Sequence, residues 1–219
     1  MRWLVLCLVA AALALPAPAG AERRRKRKRH ANMPAGWTWP PSKAMKRAGA
    51  DCLARLDELG IDWTRAPRTR KVATPIYLPT MRLAGVALEP IWRKPPFVLD
   101  CQLARAIAEV APALRAAGVR ALRFSTIHDY RHVRKNNKVL AGRLSRHAVG
   151  LAVDVYEVTD DLGQPHVVER DYPGGDQLLR AIELIVRPSG EFRSLLTPGN
   201  DPHSHDDHFH FEAAAPLPD

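Results

Sequence analysis

Three histidines and one aspartate carry the chemistry that this sequence could perform. Two of the histidines fall near the end, in His205-Asp206-Asp207-His208-Phe209-His210, and a third stands in Ser145-Arg146-His147, seven positions ahead of Asp154. Imidazole nitrogens and carboxylate oxygens are both ligands for a divalent transition metal. If a last short strand runs over 208–211, alternation turns His208 and His210 to one face and Phe209 and Phe211 to the other. The phenylalanines would then fix the strand in a core while the histidines face a cleft. His147, Asp154 and one of those two histidines make a three-ligand set, the number that leaves catalytic zinc a fourth position for water. The residues alone leave open which of the two binds and which works beside the metal. Zinc lowers the pKa of water to about 7, and a base, His208 or Asp207, would take its proton and return one to a leaving amine. Parity sets Asp207 on the Phe209 face, which favours His208. Arg131 is the first choice for stabilising an oxyanion. Each feature has a plainer reading when taken singly: a capping aspartate, a histidine-rich tail, a solvated arginine. It is their conjunction that indicates a metal site.

These residues need elements to hold them. A period of two over 151–158 puts Ala152, Asp154 and Tyr156 on one strand face. A strand at 119–127, with Leu122, Phe124 and Thr126 on one side, delivers His128-Asp129-Tyr130-Arg131 at its exit. Between the two strands, 135–142 reads as a polar loop. Helical periodicity predicts helices at 43–59, stopped by Gly60, at 101–117 behind an Asp100 N-cap, and at 176–187. Pro112 should bend or split the second of these. Short β-runs at 74–78 and 86–88, a hairpin partner at 167–169 and a loop-rich 189–206 complete the reading. The predicted fold class is α+β, a small antiparallel sheet carrying the zinc site and flanked by helices.

The chain has 219 residues, enough for one sizeable core. Residues 1–21 have the charge, apolar run and Ala19-Gly20-Ala21 ending of a signal peptide. A basic disordered arm and linker (22–42), a single domain (43–213) and a tail (214–219) would follow. Export, to periplasm, envelope or medium, leaves Cys52 and Cys101 as an even pair in an oxidising compartment, and a disulfide between them is predicted. The net charge of +10 is local: seven cations at 23–29 and Arg2, less Glu22, account for seven of it, leaving +3 for the rest. Such an arm suits anionic envelope polymers. The leader ahead of it argues against nucleic acid.

Ser145-Arg146-His147, Gly150 and Asp154, with His208-Phe209-His210, resemble the signature of the lysostaphin, D-Ala-D-Ala metallopeptidase and hedgehog superfamily. The segment 205–210 is similar to the C-terminal motif of penicillin-insensitive murein endopeptidases. With Cys52-Leu53-Ala54-Arg55-Leu56 and the stretch around Cys101, residues 50–213 look most like the bacterial extensin-like C-terminal domain family. The resemblance implies zinc ligands His147, Asp154 and His210, a catalytic His208, and His205 as an active-site partner. It also supports Arg131, with Arg134 as a rival, and departs from the family pattern at Tyr130 and Arg146. The activity implied is zinc-dependent hydrolysis of D-amino-acid-containing peptide bonds in peptidoglycan. The alternative is a non-catalytic zinc-containing module that binds cell wall or polyanions.

Overall fold

A computed structural model describes residues 32–135 and 138–215. The predicted leader and the basic arm at 23–29 lie outside the described residues. In chain order the elements are α1 (Lys43–Glu58), β1 (Thr64–Arg65), β2 (Pro75–Tyr77), β3 (Arg82–Leu83), β4 (Val86–Pro90), β5 (Leu99–Asp100), α2 (Cys101–Ala116), β6 (Val119–Thr126), β7 (His132–Lys135), β8 (Lys138–Leu144), β9 (Ala152–Asp160), β10 (Pro165–Val167), α3 (Val168–Asp171), α4 (Gln177–Val186), β11 (Phe192–Leu196) and β12 (Phe209–Ala213). A single 3₁₀ turn, His147–Val149, precedes β9. Among the described residues no helix is long and apolar enough to cross a membrane.

The fold is mixed α and β, with one large sheet at its centre. That sheet runs β11-β12-β9-β6-β4-β3, and β10 extends the β12 edge of β9. It is antiparallel except where β4 and β6 pair in parallel, so the expected all-antiparallel sheet is corrected at one junction. The cause is the crossover: the chain leaves β4, forms α2 and returns beside β4 as β6. α2 lies across the sheet, against β3, β4, β6 and β12, and also touches α1 and α4. Its apolar stripe (Leu103, Ile107, Val110 and Leu114) is buried with Phe209 and Phe211. The opposite face of β9 and β12 is therefore free to carry polar side chains.

Helix boundaries follow their caps. Ser42 accepts from Met45 N at the start of α1, and Asp100 accepts from Gln102 N at the start of α2. Asp100 also takes the N–H groups of Ala73 and Thr74 (3.1 and 2.9 Å), pinning β2 to the helix start. Pro112 does not split α2. It sits on the exposed side one turn from the end, where few hydrogen bonds are left to lose. The Cys52–Cys101 disulfide is present and ties α1 to the first residue of α2.

Six further expectations change. Residues 135–142 are not a loop: β7 and β8 form a hairpin, in which Val139, Leu140 and Ala141 fall consecutively and give no apolar alternation to read. The region 189–206 contains β11, an edge strand on β12, concealed by its shortness between Gly190 and Pro198. The hairpin partner of β9 is Pro165–Val167, because Val168 and Glu169 already turn into α3. The last strand begins at Phe209, leaving His208 just ahead of it. The stretch 32–42, expected as a linker, packs on the domain: Asn32 accepts from Arg146 Nε at 2.8 Å, and Trp37 lies against the core. At the other end Ala214 N donates to Glu191 O and Ala215 is buried, so the first residues of the expected tail also pack.

Candidate metal centre

Register is what brings the first two ligands together. β9 and β12 pair antiparallel with Asp154 directly opposite His210, and side chains opposite each other on one face meet. Phe209 and Phe211, on the other face, are fully buried and hold β12 in that register, edge-on to Tyr172 and Phe192 respectively. His147 arrives from the 3₁₀ turn. Gly150 then takes φ +70°, and a Cβ there would stand 2.7 Å from the backbone N of Asp100. Only glycine both adopts that conformation and fits that approach. It lets the chain reverse into β9 with His147 folded over Asp154.

His147, Asp154 and His210 are buried, and each offers one ligand atom to a common point. His147 Nε2 lies 3.0 Å from Asp154 Oδ1 and 3.2 Å from His210 Nδ1. His210 Nδ1 lies 2.7 Å from the same Asp154 oxygen. These separations are somewhat short of the roughly 3.3 Å between donors on a tetrahedral ion with bonds of about 2.05 Å.

The outer nitrogens decide what the inner ones can do. His147 Nδ1 faces the Ile127 carbonyl at 2.9 Å, which can only accept, so Nδ1 carries the proton. His210 Nε2 faces Glu212 Oε1 at 3.3 Å and donates to it. In neutral imidazoles both inward nitrogens are then lone pairs, aimed at a carboxylate oxygen. Three electron-rich atoms converging in a buried pocket repel one another unless a cation lies between them. The electrostatics agree. Burial lowers the His147 pKa and keeps that ring neutral. Burial alone would raise Asp154, but His147 and His210 outweigh it and hold the carboxylate well below its usual range. Burial also opposes charge on His210, yet Asp154 and Glu212 raise it to about 9. The carboxylates on either side of His210 thus favour a positive charge at this point, a proton on the free ring or a metal ion in its place. The residues fit a divalent ion of zinc type: two imidazoles, one carboxylate and no thiolate.

A second group of residues stands beside the triad. His208 Nε2 is 3.6 Å from Asp154 Oδ1, its Nδ1 is 2.5 Å from Asp207 Oδ1, and its ring stacks on Tyr156 at 4.8 Å. Strand parity does not apply to Asp207, which lies in a bend before β12. Its carboxylate orients His208 rather than competing with it. His205 bonds Asp201 through Nδ1 at 3.0 Å and lies 4.9 and 5.2 Å from the rings of His208 and His210. Burial lowers the pKa of His205. Arg131 Nη2 reaches the second oxygen of Asp154 at 3.4 Å, with its side chain half exposed at the cleft. All seven predicted metal and catalytic residues thus meet in one place, and the two cysteines do not.

Sequence reasoning missed the supports. Glu212 shares the face of His210 by parity and could have been found that way. It also binds Arg193 at 2.5 Å, and Arg193 reaches Asn32 Oδ1 at 3.1 Å. The Ile127 carbonyl and Asp201 had no signal. The Extensin-like protein C-terminus family matches residues 50–216 of this chain. No curated protein and no solved structure matches it.

Proposed function

The chain belongs to the extensin-like protein C-terminus family, and from that and its buried His/Asp triad we propose that it is an exported, zinc-dependent peptidase. Its substrates would be the D-amino-acid-containing peptides of peptidoglycan, as its resemblance to murein endopeptidases and D-Ala-D-Ala peptidases implies. One observation carries the reading: His147 and His210 turn their inward nitrogens to Asp154 while an acceptor holds each outer nitrogen, and a separately oriented histidine stands 3.6 Å from the same carboxylate oxygen. A purely structural metal site has no use for that fourth group.

Zinc held by His147, Asp154 and His210 would supply Lewis acidity and a water of lowered pKa. The remaining work falls to side chains. With Nδ1–H donated to Asp207, His208 keeps its Nε2 lone pair on the triad side, able to take a proton from an attacking water and pass it to the leaving nitrogen. Stacking on Tyr156 fixes the plane in which it does so. Arg131 holds Asp154 from behind and has donors left for the oxygen of a scissile carbonyl. The cleft around these groups has a volume of about 780 Å³, the size of a site for a short peptide.

Metal analysis combined with digestion of purified peptidoglycan tests this. Wild type carries one metal and releases cleaved muropeptides. His208→Ala keeps the metal and loses turnover by about 10²–10⁴-fold, whereas His210→Ala loses both. A metal-loaded wild type that leaves every muropeptide intact would favour the non-catalytic binding module.

A further inference from the structure

The cleft over the triad is lined by charges of both signs. The β7–β8 hairpin and its base supply Arg131, Arg134 and Arg143, and the facing loop supplies Asp201, Asp206 and Asp207. Most of these charges already have partners. Arg131 pairs with Asp129 and Asp154, Asp201 with His205, and Asp207 with His208. Arg134 and Arg143 on one side and Asp206 on the other make no ion pair among the described residues. Both arginines are exposed and neither belongs to the core, so packing does not explain them.

The hairpin rises directly from the metal centre. Ser145 N donates to Arg131 O at 3.0 Å across its base, and Asp129 N donates to His147 O at 3.3 Å beside it. Arg134 and Arg143 both line the cleft that the triad also lines. A guanidinium offers a planar fork of N–H donors matched to a carboxylate. Asp206, on the loop ahead of β12, also lines the cleft and repels a carboxylate, which biases an acidic substrate toward the hairpin arginines.

We propose that Arg134 and Arg143 form a carboxylate-recognition wall, selecting peptides that carry a free carboxylate near the scissile bond and turning it toward the hairpin. This rests on the hydrolase reading and adds the feature by which a substrate is chosen. The carboxylate could be the α-carboxylate ending the peptide or one on a side chain, and the two are separable by experiment.

One muropeptide stem is prepared as free acid, as C-terminal amide and as side-chain amide, and kcat/KM is measured with zinc-loaded wild type, R134Q/R143Q and R134E/R143E. Wild type should prefer the acid over one of the amides by about 10–100-fold, and the disfavoured amide identifies the carboxylate being read. R134Q/R143Q should bring that ratio to near one with its zinc content retained, and R134E/R143E should invert it. Equal use of acid and amides by wild type, or an unchanged ratio in R134Q/R143Q, overturns the proposal. If wild type hydrolyses none of the three, the hydrolase reading falls alone. Calorimetric Kd ratios for the same peptides then decide the carboxylate wall, with the same outcomes, and binding of none overturns it as well.

Discussion

His210 shows how neighbours would make one side chain a ligand. Its ring has two nitrogens, and the one facing Asp154 can be given up to a metal because Glu212 takes the proton of the other. Replacing Glu212 with Gln keeps the volume and loses the charge. Zinc affinity, measured by competition with a chelator, should fall about 10–100-fold while all three ligands remain. An unchanged affinity would mean that Glu212 serves only its ion pair with Arg193. Residue types were the most legible part of this sequence, because a metal restricts them to very few. His147, Asp154 and His210 could be singled out by chemistry and resemblance. The carbonyl of Ile127, which sets the tautomer of His147, could not, since a backbone oxygen looks the same in every residue.

At the scale of elements, the site depends on the pairing of β9 with β12, where a one-residue slip would turn Asp154 away from His210. The alternation His208-Phe209-His210-Phe211 announces that strand plainly, since apolar and polar residues take opposite faces. Where alternation is missing, the sequence is silent. In β8 the apolar residues Val139, Leu140 and Ala141 are consecutive rather than alternating, and β11 is short, so one read as a loop and the other went unseen. The α1–α2 link was legible for another reason, because removal of an expected leader leaves two cysteines, which admit one pairing. It closes a loop spanning 49 positions. Cys52→Ser/Cys101→Ser should therefore cost about 4 kcal/mol in chemical denaturation. Neither cysteine lines the cleft over the triad, so at 25 °C the folded variant should bind zinc as wild type does. A loss of zinc without a loss of stability would give the bridge a role in the site.

For the whole molecule, charge and pH enter through groups far from the metal. His166 joins the β9–β10 hairpin to the N-cap of α4, bonding Asp176 at 2.7 Å and Asp160 at 3.4 Å. Burial opposes its charge, but the two carboxylates prevail and raise its pKa above 6.5. A raised folded-state pKa contributes stability that is complete below pH 6.5 and lost as pH climbs through the folded value. Thermal melts should show wild type declining over that range relative to His166→Gln; parallel curves would remove His166 from the balance. The basic arm at 23–29 sets most of the net charge but no part of the described fold, so its removal should leave zinc binding untouched. The central claim is that one ion is held by two imidazoles and one carboxylate, with a position left for solvent. X-ray absorption of the zinc-loaded protein tests it most directly. The triad geometry predicts one zinc per chain with two histidine nitrogens and oxygen donors in a four-coordinate shell. A third imidazole in that shell, from His205 or His208, or a chain that takes up no zinc, would contradict it.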